Sequence, residues 1–183
     1  MIGFFGGSFD PVHYGHLKTA CAVKEELGLE QLFLMPCKAP VHKNTLQFSH
    51  QQRLQMLNLA ITEFNELQLD SREIDQQSAS YTIDTLKQIK MDYPNEKIFL
   101  IIGEDSFNTL ETWKDYQQLS DYAQLVVLPR LSKTQTWVSC MSVYFAKTPI
   151  VNISSTQIRS KIDNQENLSG LLPENIIKYI ETL

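Results

Sequence analysis

A short apolar run, Met1 to Phe5, passes directly into GGSFDPVHYGHL (Gly6 to Leu17) and then into a stretch with helical periodicity. Strand, glycine turn and helix N-terminus in that order commit the start of the chain to a βα unit. Gly6 and Gly7 permit a sharp turn and let the backbone approach a ligand, and the N–H groups of the helix's first turn attract phosphate. His13 and His16, three residues apart in that turn, fall on one face and can point at the same anion. The segment reads as a phosphate clamp. Zinc is the competing chemistry, but there is no cysteine in the segment and Asp10 is the only nearby carboxylate, so no metal ligand is assigned to the protein.

Beyond this unit, strand-like and helical patterns alternate. A helix is expected from about His16 to Leu27, a strand at Gln31 to Met35, a helix from Ser49 to Phe64 and a strand at Gln68 to Ile74. A helix from Tyr81 to Met91, a strand at Lys97 to Ile102, a short helical stretch from Phe107 to Tyr116 and a strand at Gln124 to Leu128 follow. The expectation is a single Rossmann-like, doubly wound α/β domain over residues 1–183, with a mostly parallel central sheet, helices on both faces and a C-terminal helical segment. KIFLII, at Lys97 to Ile102, is apolar enough for a central strand buried on both faces, and its carboxyl end should meet the ligand crevice. Ser49 with Gln52 and Ser154 with Gln157 have capping-box spacing. Leu131 to Tyr144 lacks periodicity and reads as a surface connection or a mobile substrate-side loop, while Pro173 opens a last helix assigned to stability.

The net charge of −5 and a pI near 5.4 argue against a general nucleic-acid or membrane-surface binder. Cys21, Cys37 and Cys140 form no C-x-x-C pair and are odd in number, which suggests a reducing compartment. The N-terminus has no signal-sequence pattern, and no apolar run reaches the roughly 18 residues of a membrane span. A cytoplasmic location is expected.

Further segments offer anion and ring chemistry. PCKAPVHK (Pro36 to Lys43) presents Lys38, His42 and Lys43 in a proline-stiffened loop, and mobile ammonium groups suit a triphosphate. SHQQRLQM (Ser49 to Met56) places Arg53 one turn past a cap, within reach of an anion or free to be a surface salt-bridge partner. SYTIDTL (Ser80 to Leu86) opens a helix whose N–H groups could hold a carboxylate while Tyr81 covers an aromatic ring. In IGEDSFNTLETW (Ile102 to Trp113), Gly103 permits close approach, Asp105 suits ribose hydroxyls and Trp113 offers a stacking plane or fills a core. NISSTQIR (Asn152 to Arg159) is a second helix-terminus anion site, with Arg159 as a fork of donors.

GGSFDPVHYGHL resembles the signature of the class I nucleotidyltransferases. Together with PCKAPVHK, SHQQRLQM, SYTIDTL, IGEDSFNTLETW and NISSTQIR it is similar to the ordered motif set of bacterial nicotinate-mononucleotide adenylyltransferases. The resemblance implies transfer of AMP from ATP to nicotinate mononucleotide in NAD biosynthesis, giving deamido-NAD and pyrophosphate, with Mg²⁺ carried on the ATP phosphates. It implies catalytic roles for His13, His16, Lys43 and Arg159. Gly6, Gly7, Ser8, Phe9, Gly103, Asp105, Ser155 and Thr156 would then lie along ATP, and Tyr81, Thr82, Trp113 and Arg53 would serve the mononucleotide. Val127-Leu128-Pro129-Arg130-Leu131 departs from the family's Arg-Pro-Gly pattern, so no role is carried over to Arg130. The alternatives are a pantetheine-phosphate adenylyltransferase or cytidylyltransferase of the same fold, and a catalytically silent nucleotide-binding module.

Overall fold

The computed structural model describes residues 1–38, 46–75, 80–129 and 142–183. Its strands are β1 (Ile2–Gly7), β2 (Gln31–Pro36), β3 (Gln68–Leu69), β4 (Ile98–Gly103), β5 (Gln124–Leu128) and β6 (Val143–Phe145). Its helices are α1 (Tyr14–Leu27), α2 (His50–Glu63), α3 (Arg72–Asp75), α4 (Thr82–Asp92), α5 (Glu104–Phe107), α6 (Ser155–Asp163) and α7 (Glu174–Ile180), with 3-10 turns at Leu110–Thr112 and Tyr116–Asp121. The strands form one sheet in the order β3-β2-β1-β4-β5-β6. Every described pairing is parallel, where the sequence suggested only a mostly parallel sheet.

That order reverses between β1 and β4, and an open α/β sheet binds ligands outside the carboxyl ends of its strands at such a switch point. The two strands occupy the centre because both are apolar on both faces. Phe5, Phe99 and Ile101 belong to one core cluster, and Ile2, Phe4, Ile98, Leu100 and Ile102 to the other. The first cluster takes Leu17, Ala20 and Val23 of α1, Met56 and Leu57 of α2, Ile158 of α6 and Ile176 of α7. Ile83, Leu86 and Ile89 of α4 pack in the second, with Phe107, Leu110 and Leu119. Helices therefore cover both faces, and α7 has the packing role expected of it.

Three expectations need correction. The strand expected at Gln68 to Ile74 pairs only at Gln68–Leu69 and then turns into α3. The cause is local: Asp70 accepts from the Arg72 N–H at 3.0 Å and from its Nε at 2.8 and 2.9 Å, a side-chain competition that ends the ladder. The helical stretch expected at Phe107 to Tyr116 is instead the end of α5, the first 3-10 turn and the start of the second. Within Leu131 to Tyr144, Val143 and Tyr144 belong to β6, which pairs with β5 at the sheet edge; residues 131–141 lie outside the described ones.

Candidate active site

The turn after β1 is built on a buried platform. Phe9, at φ 45°, is fully buried and sits edge-on to the Phe5 ring at 5.6 Å and the His16 imidazole at 5.0 Å. Its side chain is part of the core, so only its backbone is placed to face a ligand. Asp10 is buried and accepts from the Phe48 and Gln47 N–H groups at 2.9 and 3.0 Å. On this platform His13 caps α1: its Nδ1 accepts from the His16 N–H at 3.3 Å. With Nδ1 an acceptor, the network assigns the neutral ring's proton to Nε2. The two imidazoles stack with centroids 3.7 Å apart and planes 25° apart, so they form one unit.

That unit lines a cavity of about 320 Å³ together with Gly103 at the end of β4, Asp105 in α5, and Asn152, Ile153 and Ser154 before α6. Ser154 caps α6 by accepting from the Gln157 N–H at 3.2 Å. The N-terminal turns of α1 and α6 thus border one space, and aligned N–H groups there favour an anion. A Cβ on Gly103 would meet no protein atom within 4 Å, which leaves that edge open to a ligand. Gly15 is the opposite case. A Cβ there would come within 2.8 Å of the His13 ring and 3.1 Å of the Ile153 carbonyl, so only glycine lets α1 pass this close to both.

Ser155, Thr156 and Arg159 do not line either cavity described here. Ser155 Oγ donates to the Pro11 carbonyl at 3.1 Å, and Arg159 donates through Nη1 to the Asp10 carbonyl at 2.7 Å and through Nη2 to Thr156 Oγ1 at 3.2 Å. The Arg159 guanidinium also lies 3.6 Å from the Asp10 carboxylate. These residues tie α6 to the turn after β1. In the structure these contacts align two helix ends.

A second cavity, about 210 Å³, opens on the other side of the same turn. Gly6, Gly7 and Ser8 form one wall, so these three residues border the second cavity and not the one holding the histidines. Tyr81, Thr82 and Trp113 line it, and Met35, Leu100 and Ile102 add apolar surface. Tyr81 caps α4 through its backbone alone, with no side-chain cap, and its ring is exposed beneath Lys114 Nζ at 4.6 Å from the centroid. Lys114 is held there by Asp84 at 3.0 Å. The expected grouping of Tyr81, Thr82 and Trp113 is therefore present in space.

Arg53 corrects a further expectation. It is fully buried and donates to the carbonyls of Ser8 at 2.7 Å, Cys37 at 2.8 Å and Lys38 at 2.9 Å. Burial pulls its pKa down, with Asp10 and Cys37 acting the other way. The guanidinium is a clamp joining the turn after β1 to the segment after β2, and it contacts no open site. Lys43, with His42, and Arg130 lie outside the described residues.

Glu73 and Asn152 are among the lining residues that sequence reasoning missed. Glu73 is buried in the wall of the second cavity, and burial pushes its carboxyl up to about 7. Asn152 lines the first cavity as the residue leading into the turn before α6. Among the described residues, no group of three His, Cys, Asp or Glu side chains could hold a metal ion. No described helix is long and apolar enough to cross a membrane.

Comparison with known proteins identifies the family and the fold. The family model described as "Cytidylyltransferase-like" matches residues 4–161. A "Probable nicotinate-nucleotide adenylyltransferase" of Vesicomyosocius okutanii subsp. Calyptogena okutanii is 49% identical, covering 100% of this chain and 95% of its own. A protein of the same description from Psychromonas ingrahamii is 36% identical, covering 98% and 94%. In fold, the chain is similar to Plasmodium falciparum nicotinic acid mononucleotide adenylyltransferase, solved in complex with NaAD, at a TM-score of 0.79 and 19% identity over 99% of this chain and 94% of that one. With its cytidylyltransferase-like core matched over most of its length and its relatives matched from end to end, the chain belongs to the nicotinate-nucleotide adenylyltransferase family.

Proposed function

We propose that the protein joins ATP and nicotinate mononucleotide to give deamido-NAD and pyrophosphate. The observation that carries this reading is the pair of cavities flanking one turn, one bordered by stacked imidazoles and two helix N-termini, the other by Trp113 and the N-terminus of α4. ATP occupies the first and the mononucleotide the second. Asp105 accepts from ribose hydroxyls, Trp113 stacks on the pyridine ring, and backbone N–H groups at Tyr81 and Thr82 receive the ring carboxylate.

An oxygen of the mononucleotide's phosphate forms a bond to the α-phosphorus of ATP as the bond from that phosphorus to the β-phosphate's bridging oxygen breaks. Pyrophosphate leaves with the electron pair. The attacking phosphate is already anionic near neutral pH, since its second pKa is about 6, so the histidines need not remove a proton. They act as donors instead: His16 to the α-phosphate as charge builds, His13 to the leaving group, with Lys43 steadying pyrophosphate. Arg159 contributes by holding α6 against Asp10, which keeps the two helix ends aligned. Mg²⁺ carried on the ATP phosphates would neutralise part of the triphosphate charge.

The test is a pyrophosphate-release assay with ATP, Mg²⁺ and, in separate reactions, nicotinate mononucleotide, nicotinamide mononucleotide and phosphopantetheine. A parallel reaction replaces ATP by CTP. Fastest release with ATP and nicotinate mononucleotide is expected. Preference for phosphopantetheine or CTP assigns the chain to another transfer of the same type, and no release with any pair assigns it to a silent module.

A further inference from the structure

The wall of the second cavity contains a carboxyl group that the transfer reaction does not use. Glu73 sits on the single turn of α3, is 5% exposed, and lines the same space as Tyr81, Thr82 and Trp113. Its Oε1 has no hydrogen-bond partner, and the fully packed Thr85 of α4 lies beside the carboxyl. A carboxyl buried in the wall of a cavity with one oxygen unpartnered is a costly arrangement for a merely structural residue.

We propose that Glu73 is a specificity-determining residue of the acceptor pocket: protonated, it tolerates the extra negative charge of a pyridine carboxylate, and ionised, it repels that charge and favours an amide. The inference rests on the acceptor reading given above and deepens it. The two mononucleotides share their phosphate, ribose and cationic ring, and differ at one group, an anionic carboxylate or a neutral amide. A charge on the pocket wall therefore acts on the difference between them, whatever else it does to both. On a wall shared with Met35, Leu100 and Ile102, such a charge is felt more strongly than in water. A protonated Glu73 can donate its O–H to a carboxylate, whereas an ionised one can accept from an amide N–H.

The surroundings keep this switch near neutral pH. Burial is the largest influence and raises the Glu73 carboxyl to about 7, nearby Asp70 raises it further, and Thr85 and Arg72 oppose the rise. Asp70 and Arg72 are themselves paired at 2.8 Å, and Arg72 also holds Asp92 at 2.9 Å, which moderates both influences. From the other elements bordering the pocket come Lys114, paired with Asp84 at 3.0 Å, the Tyr81 phenol and the Cys37 thiol. Thr85 reaches Glu73 from α4, so the carboxyl is flanked by a helix whose N-terminus borders the same pocket. The phosphate of the mononucleotide titrates in the same pH range, but it does so in both acceptors and cancels in their ratio.

The experiment measures kcat and KM for both mononucleotides from pH 6 to pH 8.5, in the wild-type protein and in Glu73→Gln, at saturating ATP and Mg²⁺. In the wild type, the nicotinate-to-nicotinamide ratio of kcat/KM is expected to fall roughly tenfold across the range, through KM more than kcat. In Glu73→Gln the ratio should be flat. A ratio that falls equally in both proteins, or in neither, overturns the proposal. Calorimetric titration of the wild type with nicotinate mononucleotide at pH 7.5, in two buffers of different ionisation heat, supplies a readout that needs no variant. Net proton uptake beyond that seen with inorganic phosphate is expected, and none contradicts the proposal. Failure to turn over nicotinate mononucleotide at any pH is a different result, which rejects the acceptor assignment itself.

Discussion

His13 and His16 are a stacked pair whose rings lie 3.7 Å apart, with the His13 Nδ1 accepting the His16 backbone N–H. One histidine therefore fixes the start of α1 and the other stands on it. His13 is buried and His16 half-buried, so His16 is the better placed to meet a ligand that enters from solvent.

On the proposed mechanism, replacing His16 by alanine removes a donor to the transferring phosphate and leaves the His13 cap in place. Loss of one such donor costs about 2.7–4 kcal/mol in the barrier, so turnover should fall at least about a hundredfold. Steady-state kinetics with a circular dichroism control checks this: near-normal kcat in a folded variant would reject the role.

Gly15→Ala tests the packing under the pair. The new Cβ would meet the His13 ring at 2.8 Å and the Ile153 carbonyl at 3.1 Å, so either the imidazole turns or α1 moves from α6. Overpacking of this kind costs about 1–3 kcal/mol, and activity should fall by more than stability alone explains, because the cap and the cavity wall move together. Denaturant unfolding and kcat measured on one preparation separate the two effects.

Arg53 is expected to matter for folding before it matters for binding. Arg53→Met leaves the Ser8, Cys37 and Lys38 carbonyls without their buried donor, a loss of about 3 kcal/mol or more. Arg53→Lys should recover only part of it, because an ammonium cannot reproduce a planar fork. Urea unfolding midpoints order the three proteins, and a Lys variant as stable as the wild type would contradict the clamp.

Glu73 also makes stability depend on pH. Its folded-state pKa of about 7 lies above the unfolded value near 4.5, so between these values the folded chain binds the extra proton. The group's favourable contribution is complete below about pH 4.5 and is lost as pH rises through 7, by an amount on the order of 3 kcal/mol. Glu73→Gln should therefore gain stability relative to the wild type between pH 5 and pH 8. A constant difference across that range would contradict it.

These residues mark where a sequence can be read and where it cannot. KIFLII and the run at Met1 to Phe5 announce β4 and β1 because a strand buried on both faces must be apolar throughout, and the capping serines at 49 and 154 announce α2 and α6. The grouping of Tyr81, Thr82 and Trp113 was legible through motif order. Arg53 was not: an arginine one turn into a helix looks like a surface donor, and its burial depends on carbonyls from two other segments. The same holds for Arg159, whose partner Asp10 is distant in sequence and adjacent in space. Glu73 falls in the segment expected as the strand Gln68 to Ile74, and it is α3, not a strand, that brings it to the cavity wall. A three-residue edge strand such as β6 is too short to show alternation.

The central claim is that AMP passes directly from ATP to the mononucleotide. Incubation with ATP labelled at the α-phosphate, Mg²⁺ and nicotinate mononucleotide tests it most directly, by following the label and counting pyrophosphate. Label is expected in the dinucleotide, one pyrophosphate per dinucleotide, with none on the protein at any time. Label retained on the protein, or released as free AMP without dinucleotide, would contradict the account.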